Sequence, residues 1–334
     1  MRFAVQPGVM NSSGAVLDAL NAIVARAEDE VHEVEIVQAD LLQESEWYKY
    51  SHPDRKKSLE RIAITTFYRP PRTRGPHLRR VEVSNEASAT RAKNIAHAPL
   101  LVLAENDISD GALIEVALRT FAATATTELC FGAPSKLDPP AFQIESRGGH
   151  GELPKLITKR VEDAKTRQRP HRLVVVTDSD GEWSGDVKKH AVTIRELCTK
   201  HNVPCPPLHK RTVENYIPDA FWIDWITDRS RTNIKPAVEA LLRLSPEQRD
   251  FVDMGCPSKS LDCDTTEVEA LFKIVSDDDR SRLHGPNANL KGAKDAMTIL
   301  ALKGSTRAFT PADLKARDHQ GDLLALVRHI EDEL

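Results

Sequence analysis

The sequence predicts an α/β protein: a central parallel sheet flanked by helices, preceded by an α+β region and followed by a helical one. Two runs, "APLLVLAEN" and "RLVVVTDSD", are apolar at consecutive positions, as strands buried on both faces are. Stretches with apolar residues at helical spacing lie between them, which is the βαβ pattern. From residue 229 onward only the helical period recurs.

Residues 1–68 form the α+β region. "AVLDALNAIVARA" has helical spacing, with Ser12 or Ser13 as its N-cap, and "HEVEIVQADLL" alternates like a strand. Residues 69–97 are rich in proline and arginine and read as a basic linker, either a solvated connector or a row of cations for phosphate contact. Residues 98–228 read as an α/β unit with a parallel sheet. There "APLLVLAEN" is a strand and "DGALIEVALRTFAA" a helix. "AFQIESRGGHGELPKLITKRVEDA" is a strand, a glycine-rich turn and a helix. "RLVVVTDSD" is a strand, "GDVKKHAVTIRELCTKHN" an amphipathic helix, and "PPLHKRTVENYIPDAF" a further strand with a short helix. Residues 229–334 are the helical region. It includes "IKPAVEALLRL", "SPEQRDFVDM" with a Ser-Pro start, "TEVEALFKIV", "AKDAMTILALKG" and "HQGDLLALVRHIEDEL".

Composition narrows the function. The chain has 334 residues, enough for two or three domains, and a net charge of −4, so no overall positive field attracts nucleic acid. Any such binding requires local patches. No apolar run is long enough for a membrane span, and the first residues lack a hydrophobic signal region, so a cytoplasmic protein with no membrane partner is expected. The five cysteines suit a reducing compartment. Cys198 and Cys205 lie seven apart, as do Cys256 and Cys263, with His190, His201 and His209 near the first pair. Neither pair has the short spacing of structural zinc sites, so separately buried thiols are the reading preferred.

The chemistry concentrates at two strand ends. Residues i and i+2 of an extended chain point the same way, so Asp178 and Asp180 can aim two carboxylates at one point beyond their strand. Two anions held that close repel unless a cation separates them, and oxygen-only ligands favour magnesium or manganese. The same Asp-Ser-Asp-Gly stretch is also good turn chemistry. Glu105 closes "LLVLAE" in the same manner, with Asp107 and Asp110 in the turn that follows. In a parallel sheet both strand ends share one edge, where ligands bind. Glu105 alone would equally complement a helix dipole.

This order of strand-Glu105, acidic turn, helix, "RGGHG" turn, helix and strand-Asp178-x-Asp180 resembles the TOPRIM domain of topoisomerases, primases and nucleases. "HKRTVENYIPD" resembles the segment after the aspartate pair in TOPRIM nucleases, and the nearest likeness is to the overcoming-lysogenisation-defect nucleases and relatives of bacterial antiphage defence. The likeness spans residues 98 to about 255, roughly half the chain. It departs from the pattern at Asn106, where the family has glycine, and at Ser109, where the family's next acid falls; that role passes to Asp110. No G-x-x-x-x-G-K-[ST] is present, so an ATPase would be a separate chain.

The resemblance implies metal-dependent cleavage of phosphodiester bonds in DNA or RNA. Glu105, Asp110, Asp178, Asp180 and Glu214 would be ligands of Mg2+ (or Mn2+), with two ions expected. Glu105, Asp178, Asp180 and Lys210 would be catalytic, and Lys210, Arg211 and Arg147 would contact nucleic acid. Glu214 has an alternative use as a partner of Lys210 or Arg211, and Asn215 and Tyr216 would fix its loop. Gly148, Gly149 and Gly151 would let backbone approach phosphate, or serve only a tight turn. Self-association is left open. Two other functions compete. "VVVTDSDGEW" resembles the first motif of haloacid-dehalogenase-type phosphatases, with Asp178 as nucleophile, although Glu182 stands where that motif has threonine. The third possibility is a non-catalytic TOPRIM module that binds nucleic acid or a partner.

Overall fold

Short β-branched and leucine-rich runs form two parallel sheets, and helices cover them. The computed structural model describes residues 1–334 except 13, 69–79, 107, 147, 149–150, 228–230, 264, 286–287, 289 and 291–309; for 67–68 it describes backbone alone.

The first sheet has β1 (Arg2–Val5), β2 (Glu33–Ile36) and β3 (Arg80–Val83), all parallel in the order β2-β1-β3. Between and after them run α1 (Ala15–Glu28), α2 (Glu46–Tyr50), α3 (Pro53–Tyr68) and α4 (Glu86–Ala96). This corrects two expectations. The N-terminal region is α/β rather than α+β, and residues 80–96 are a strand and a helix rather than linker. Val83 is buried against β1, and Ala89, Ala92 and Ile95 of α4 pack in the same core, so a stretch polar in composition still carries one apolar face. The rest of the expected linker, 69–79, lies outside the described residues. Helix α1 starts after Gly14, at φ +56°, and not from a serine cap.

The second sheet has β4 (Leu100–Leu103) at its centre, β5 (Phe142–Glu145) on one side and β6 (Leu173–Val175) on the other, all parallel. Leu101 pairs with Leu173 and Leu103 with Val175. Leu101, Leu103, Leu173 and Val175 face α7 (Leu153–Thr166) and α8 (Lys189–His201), while Leu100, Val102 and Val174 face a larger core that includes α5 (Ser109–Phe121) and α6 (Thr124–Phe131). Both faces are therefore covered, as the uninterrupted apolar runs require. The expected strand after α8 does not form. Pro204, Pro206 and Pro207 lack donors, and only one ladder-like bond, Val175 N to Pro204 O at 2.9 Å, joins that segment to β6.

The described part of residues 229–334 is helical. It has α9 (Asp219–Trp225) just before it, then α10 (Lys235–Arg243), α11 (Pro246–Phe251), α12 (Pro257–Leu261), α13 (Thr266–Phe272) and α14 (Asp277–Leu283), followed by helices Pro311–Arg317 and Asp322–Glu333. The helix expected from "AKDAMTILALKG" lies outside the described residues. These helices share the large core of the second sheet and do not form one of their own; Leu323, Leu326, Val327 and Ile330 pack in it. No helix among the described residues is long and apolar enough to cross a membrane.

Arg172, at the entry to β6, ties the last helix to the sheet. It is 2% exposed and donates to the carbonyls of Ala98 (2.7 Å), Glu333 (2.9 Å) and Leu334 (3.1 Å). Arg172→Met removes these charge-assisted bonds and should cost about 2–3 kcal/mol of unfolding free energy. Urea denaturation of the full chain checks this; an unchanged midpoint would mean the carbonyls find other donors.

Candidate metal centre

In a sheet ordered β5-β4-β6, the chain leaves β4 first to one side and then to the other, so the crevice opens between the carboxyl ends of β4 and β6. Glu105 follows β4 and Asp178 follows β6, at that crevice. The Thr177 hydroxyl joins the two ends by donating to Glu105 Oε1 at 2.7 Å.

Asp178 is the centre of charge. Burial pushes its carboxyl well above the ordinary aspartate range, and Asp110, Glu214, Glu105 and Asp180, in that order of influence, push it further. The four other acids expected as ligands therefore lie within electrostatic reach of Asp178. Asp178 Oδ1 is enclosed and has no hydrogen-bond partner among the described residues. A buried acceptor left unpaired beside four carboxylates fits a bound cation.

Each neighbour is fixed by local structure. The Asn106 side chain closes the turn: Asn106 Oδ1 accepts from Ile108 N (2.9 Å) and Ser109 N (3.3 Å). Asp110, 6% exposed in the first turn of α5, accepts from Asn106 N (2.9 Å) and the Ser109 hydroxyl (3.1 Å). The extra residue in the turn thus still delivers an acid. Asp107 lies outside the described residues. Glu214 is 3% exposed in a 3-10 turn, Val213–Tyr216, closed by Asn215, which accepts from Thr212 N and donates to the carbonyls of Arg249 (2.7 Å) and Val252 (3.0 Å). The Tyr216 hydroxyl donates to Asp322.

Asp180 departs from expectation. β6 ends at Val175, and Asp180 sits at φ +49°, so the two aspartates do not share an extended strand. Asp180 N donates to Arg211 O, and its carboxylate pairs with His190 Nε2 at 2.8 Å. Asp180 accordingly influences Asp178 least of the four. The loop is tightened by Gly181, where a side chain would run into the Asp186 carbonyl, and by Lys188 N donating to Ser179 O at 3.1 Å. The turn reading of Asp-Ser-Asp-Gly is realised, whereas the extended geometry that would aim both carboxylates at one point is not.

Lys210 and Arg211 are not phosphate contacts. Lys210 is fully buried; its ammonium pairs with Asp250, which also holds Arg317 at 2.6 Å. Burial, with Arg317 alongside, pulls Lys210 down to about 8. Arg211 pairs with Asp253 at 3.2 Å. Both cations bolt the Glu214 loop to α11 and its flank. Arg147 lies outside the described residues, as does Gly149; Gly148 is left-handed at φ +82° and Gly151 faces open space. His190 and Thr177, which touch Asp180 and Glu105, were not identified as site residues. The hydroxyl beside Asp178 was the available signal for Thr177. His209 pairs with Asp322 and His190 with Asp180.

No protein-family model, curated protein or solved structure matches the chain. Its own geometry must carry the argument. Among the described residues no three acidic, histidine or cysteine side chains form a ready-made ligand set. Glu105, Asp110 and Asp180 accept hydrogen bonds from Thr177, Asn106 and His190.

Two outcomes follow. The folded state holds a proton on Asp178 at pH values above the ordinary aspartate range, where the unfolded chain has lost it. Stability without metal should therefore fall as pH rises through that window. In EDTA, Asp178→Asn should be more stable than the parent at neutral pH and show a shallower pH slope; an unaltered slope would place the charge strain elsewhere. Asp250→Ala strands Lys210 and Arg317 and should cost about 3–5 kcal/mol by urea denaturation.

Proposed function

We propose that this chain is a metal-dependent phosphodiesterase that cleaves nucleic acid, with residues 98–228 as a TOPRIM-like catalytic half. The observation that carries this reading is the unpaired, enclosed Asp178 Oδ1 among four further carboxylates at the sheet's carboxyl edge. Asp178, Asp110 and Glu214 would hold Mg2+ or Mn2+, with Glu105 and Asp180 completing the site. The bound cation would supply Lewis-acid stabilisation of a phosphate oxygen and a more acidic water.

The chain's own residues supply the rest. Glu105, held by the Thr177 hydroxyl, would take or return a proton at the crevice. His190 fixes the rotamer of Asp180. Asn215 and the Tyr216–Asp322 contact hold Glu214 against α5 and the sheet. With Lys210 and Arg211 committed to Asp250 and Asp253, phosphate charge at the cut would be offset by the cation and not by those side chains. An effector in antiphage defence, working with a separate ATPase chain, fits the family likeness.

The test is incubation of purified protein with plasmid, linear DNA and total RNA, with and without Mg2+ or Mn2+. Cleavage should need the cation. Glu105→Ala, Asp178→Ala and Asp180→Ala should each lower it by about 10²-fold or more. Turnover of small phosphate monoesters that survives Glu105→Ala would instead favour the phosphatase chemistry of a nucleophilic Asp178. Binding of nucleic acid without cleavage would favour a non-catalytic module.

A further inference from the structure

The turn after α8 brings two thiols together. Cys198 lies in the last turns of α8 and is 1% exposed, in the core formed with Leu173, Val175 and Ile194. Asn202 then turns left-handed at φ +53°. Two bonds close the helix end: Asn202 N donates to Thr199 O at 3.2 Å and Val203 N to Cys198 O at 2.9 Å. The chain doubles back. Val203 packs in the same core as Cys198, Pro204 O accepts from Val175 N, and the partly exposed Cys205 lies against that core. Its thiol is within hydrogen-bonding reach of the Cys198 thiol. The two are a pair, and not the separately buried thiols expected from their spacing in the sequence. They differ in character. The hydrogen bond from Cys198 pulls Cys205 below the ordinary thiol range; burial opposes this, and the charge of Arg195 on α8 adds to it. The same bond pushes Cys198 up, and burial adds to that. Arg195 Nε is enclosed with no hydrogen-bond partner among the described residues, while Nη2 reaches Leu208 O at 3.4 Å.

We propose that Cys205 and Cys198 are a peroxide-reactive pair that closes to a reversible disulfide, with Cys205 as the attacking sulfur and Cys198 as the resolving one. The Cys205 thiolate attacks one oxygen of hydrogen peroxide. An S–O bond forms as the O–O bond breaks, and the departing hydroxide leaves as water with the proton that the Cys205 thiol gave up. The Cys198 sulfur then attacks the sulfenic sulfur. The S–S bond forms, the S–O bond breaks, and this hydroxide leaves with the Cys198 proton as a second water. Two thiols lose two electrons in all, and one peroxide is reduced to two waters. The order follows from access and thiolate character: a small oxidant reaches the partly exposed Cys205, while burial keeps Cys198 from reacting first. A thiol from solution reopens the bond by exchange. The closed bond would tie the end of α8 to the segment that continues through Leu208 to the Glu214 loop. The inference needs neither a metal nor the nuclease reading.

The experiment treats the full chain, reduced and then freed of reductant, with hydrogen peroxide at neutral pH in EDTA. Remaining thiols are alkylated, and intact mass and a non-reducing tryptic map are read. Trypsin cuts after Lys200, between the two cysteines, so a bond between them joins two peptides. The parent should lose two hydrogens, the map should join the Cys198 and Cys205 peptides, and dithiothreitol should restore both thiols. Cys205→Ser should lose the cross-link and leave Cys198 reduced. Cys198→Ala, which keeps that core position apolar, should stop at one added oxygen on Cys205, trapped by dimedone. Cys130, Cys256 and Cys263 are internal controls and should oxidise more slowly than Cys205. The proposal is overturned if peroxide leaves Cys198 and Cys205 as thiols, if the cross-link joins another pair, or if Cys198 oxidises as fast in Cys205→Ser as in the parent. Circular dichroism checks that the variants fold; should one not fold, the peptide map of the parent decides alone.

Discussion

Parallel pairing of β4 with β6 is the constraint from which the site follows. Leu101 to Leu103 lie beside Leu173 to Val175 in one direction, so whatever follows each strand emerges at the same edge. Glu105 and Asp178 follow, and Thr177 closes the gap between them. Had the strands run antiparallel, the two acids would sit at opposite ends of the sheet, a strand's length apart. The apolar faces of both strands are buried beneath α5, α7 and α8, so the register cannot slip by one residue without turning leucine and valine out of the core.

The rest of the molecule can be read as support for that edge. Glu214 reaches the crevice from a loop with no strand of its own, and its position depends on groups far along the chain. Asn215 is held by two carbonyls near α11, Tyr216 by Asp322, Lys210 by Asp250 and Arg211 by Asp253. The C-terminal helices are thus a brace for the crevice as much as a separate region.

Much of the edge was legible in the sequence. The runs ending at Glu105 and Asp178 are apolar at every position, which only a strand buried on both faces needs, and their carboxylates stand where chains leave such sheets. Other features were hidden for identifiable reasons. The partners of Lys210 and Arg211 lie some forty residues away, and no local pattern announces a salt bridge over that span. Asp180 turned left-handed because a following glycine and a tight loop override the strand geometry assumed for i and i+2. β3 and α4 passed for linker because their polar faces outnumber the few alanines and valines that pack. The segment after α8 has strand-like apolar residues, yet its prolines remove the donors a ladder needs.

The claim on which the rest turns is that the carboxylates around Asp178 close on a divalent cation. A crystal of the full chain soaked in Mn2+ and measured for anomalous scattering tests it directly. The account predicts a peak about 2.0–2.3 Å from Asp178 Oδ1, with at least one oxygen of Asp110, Glu105 or Glu214 in the same shell. Strong manganese peaks elsewhere, with Asp178 left unliganded at neutral pH, would contradict it.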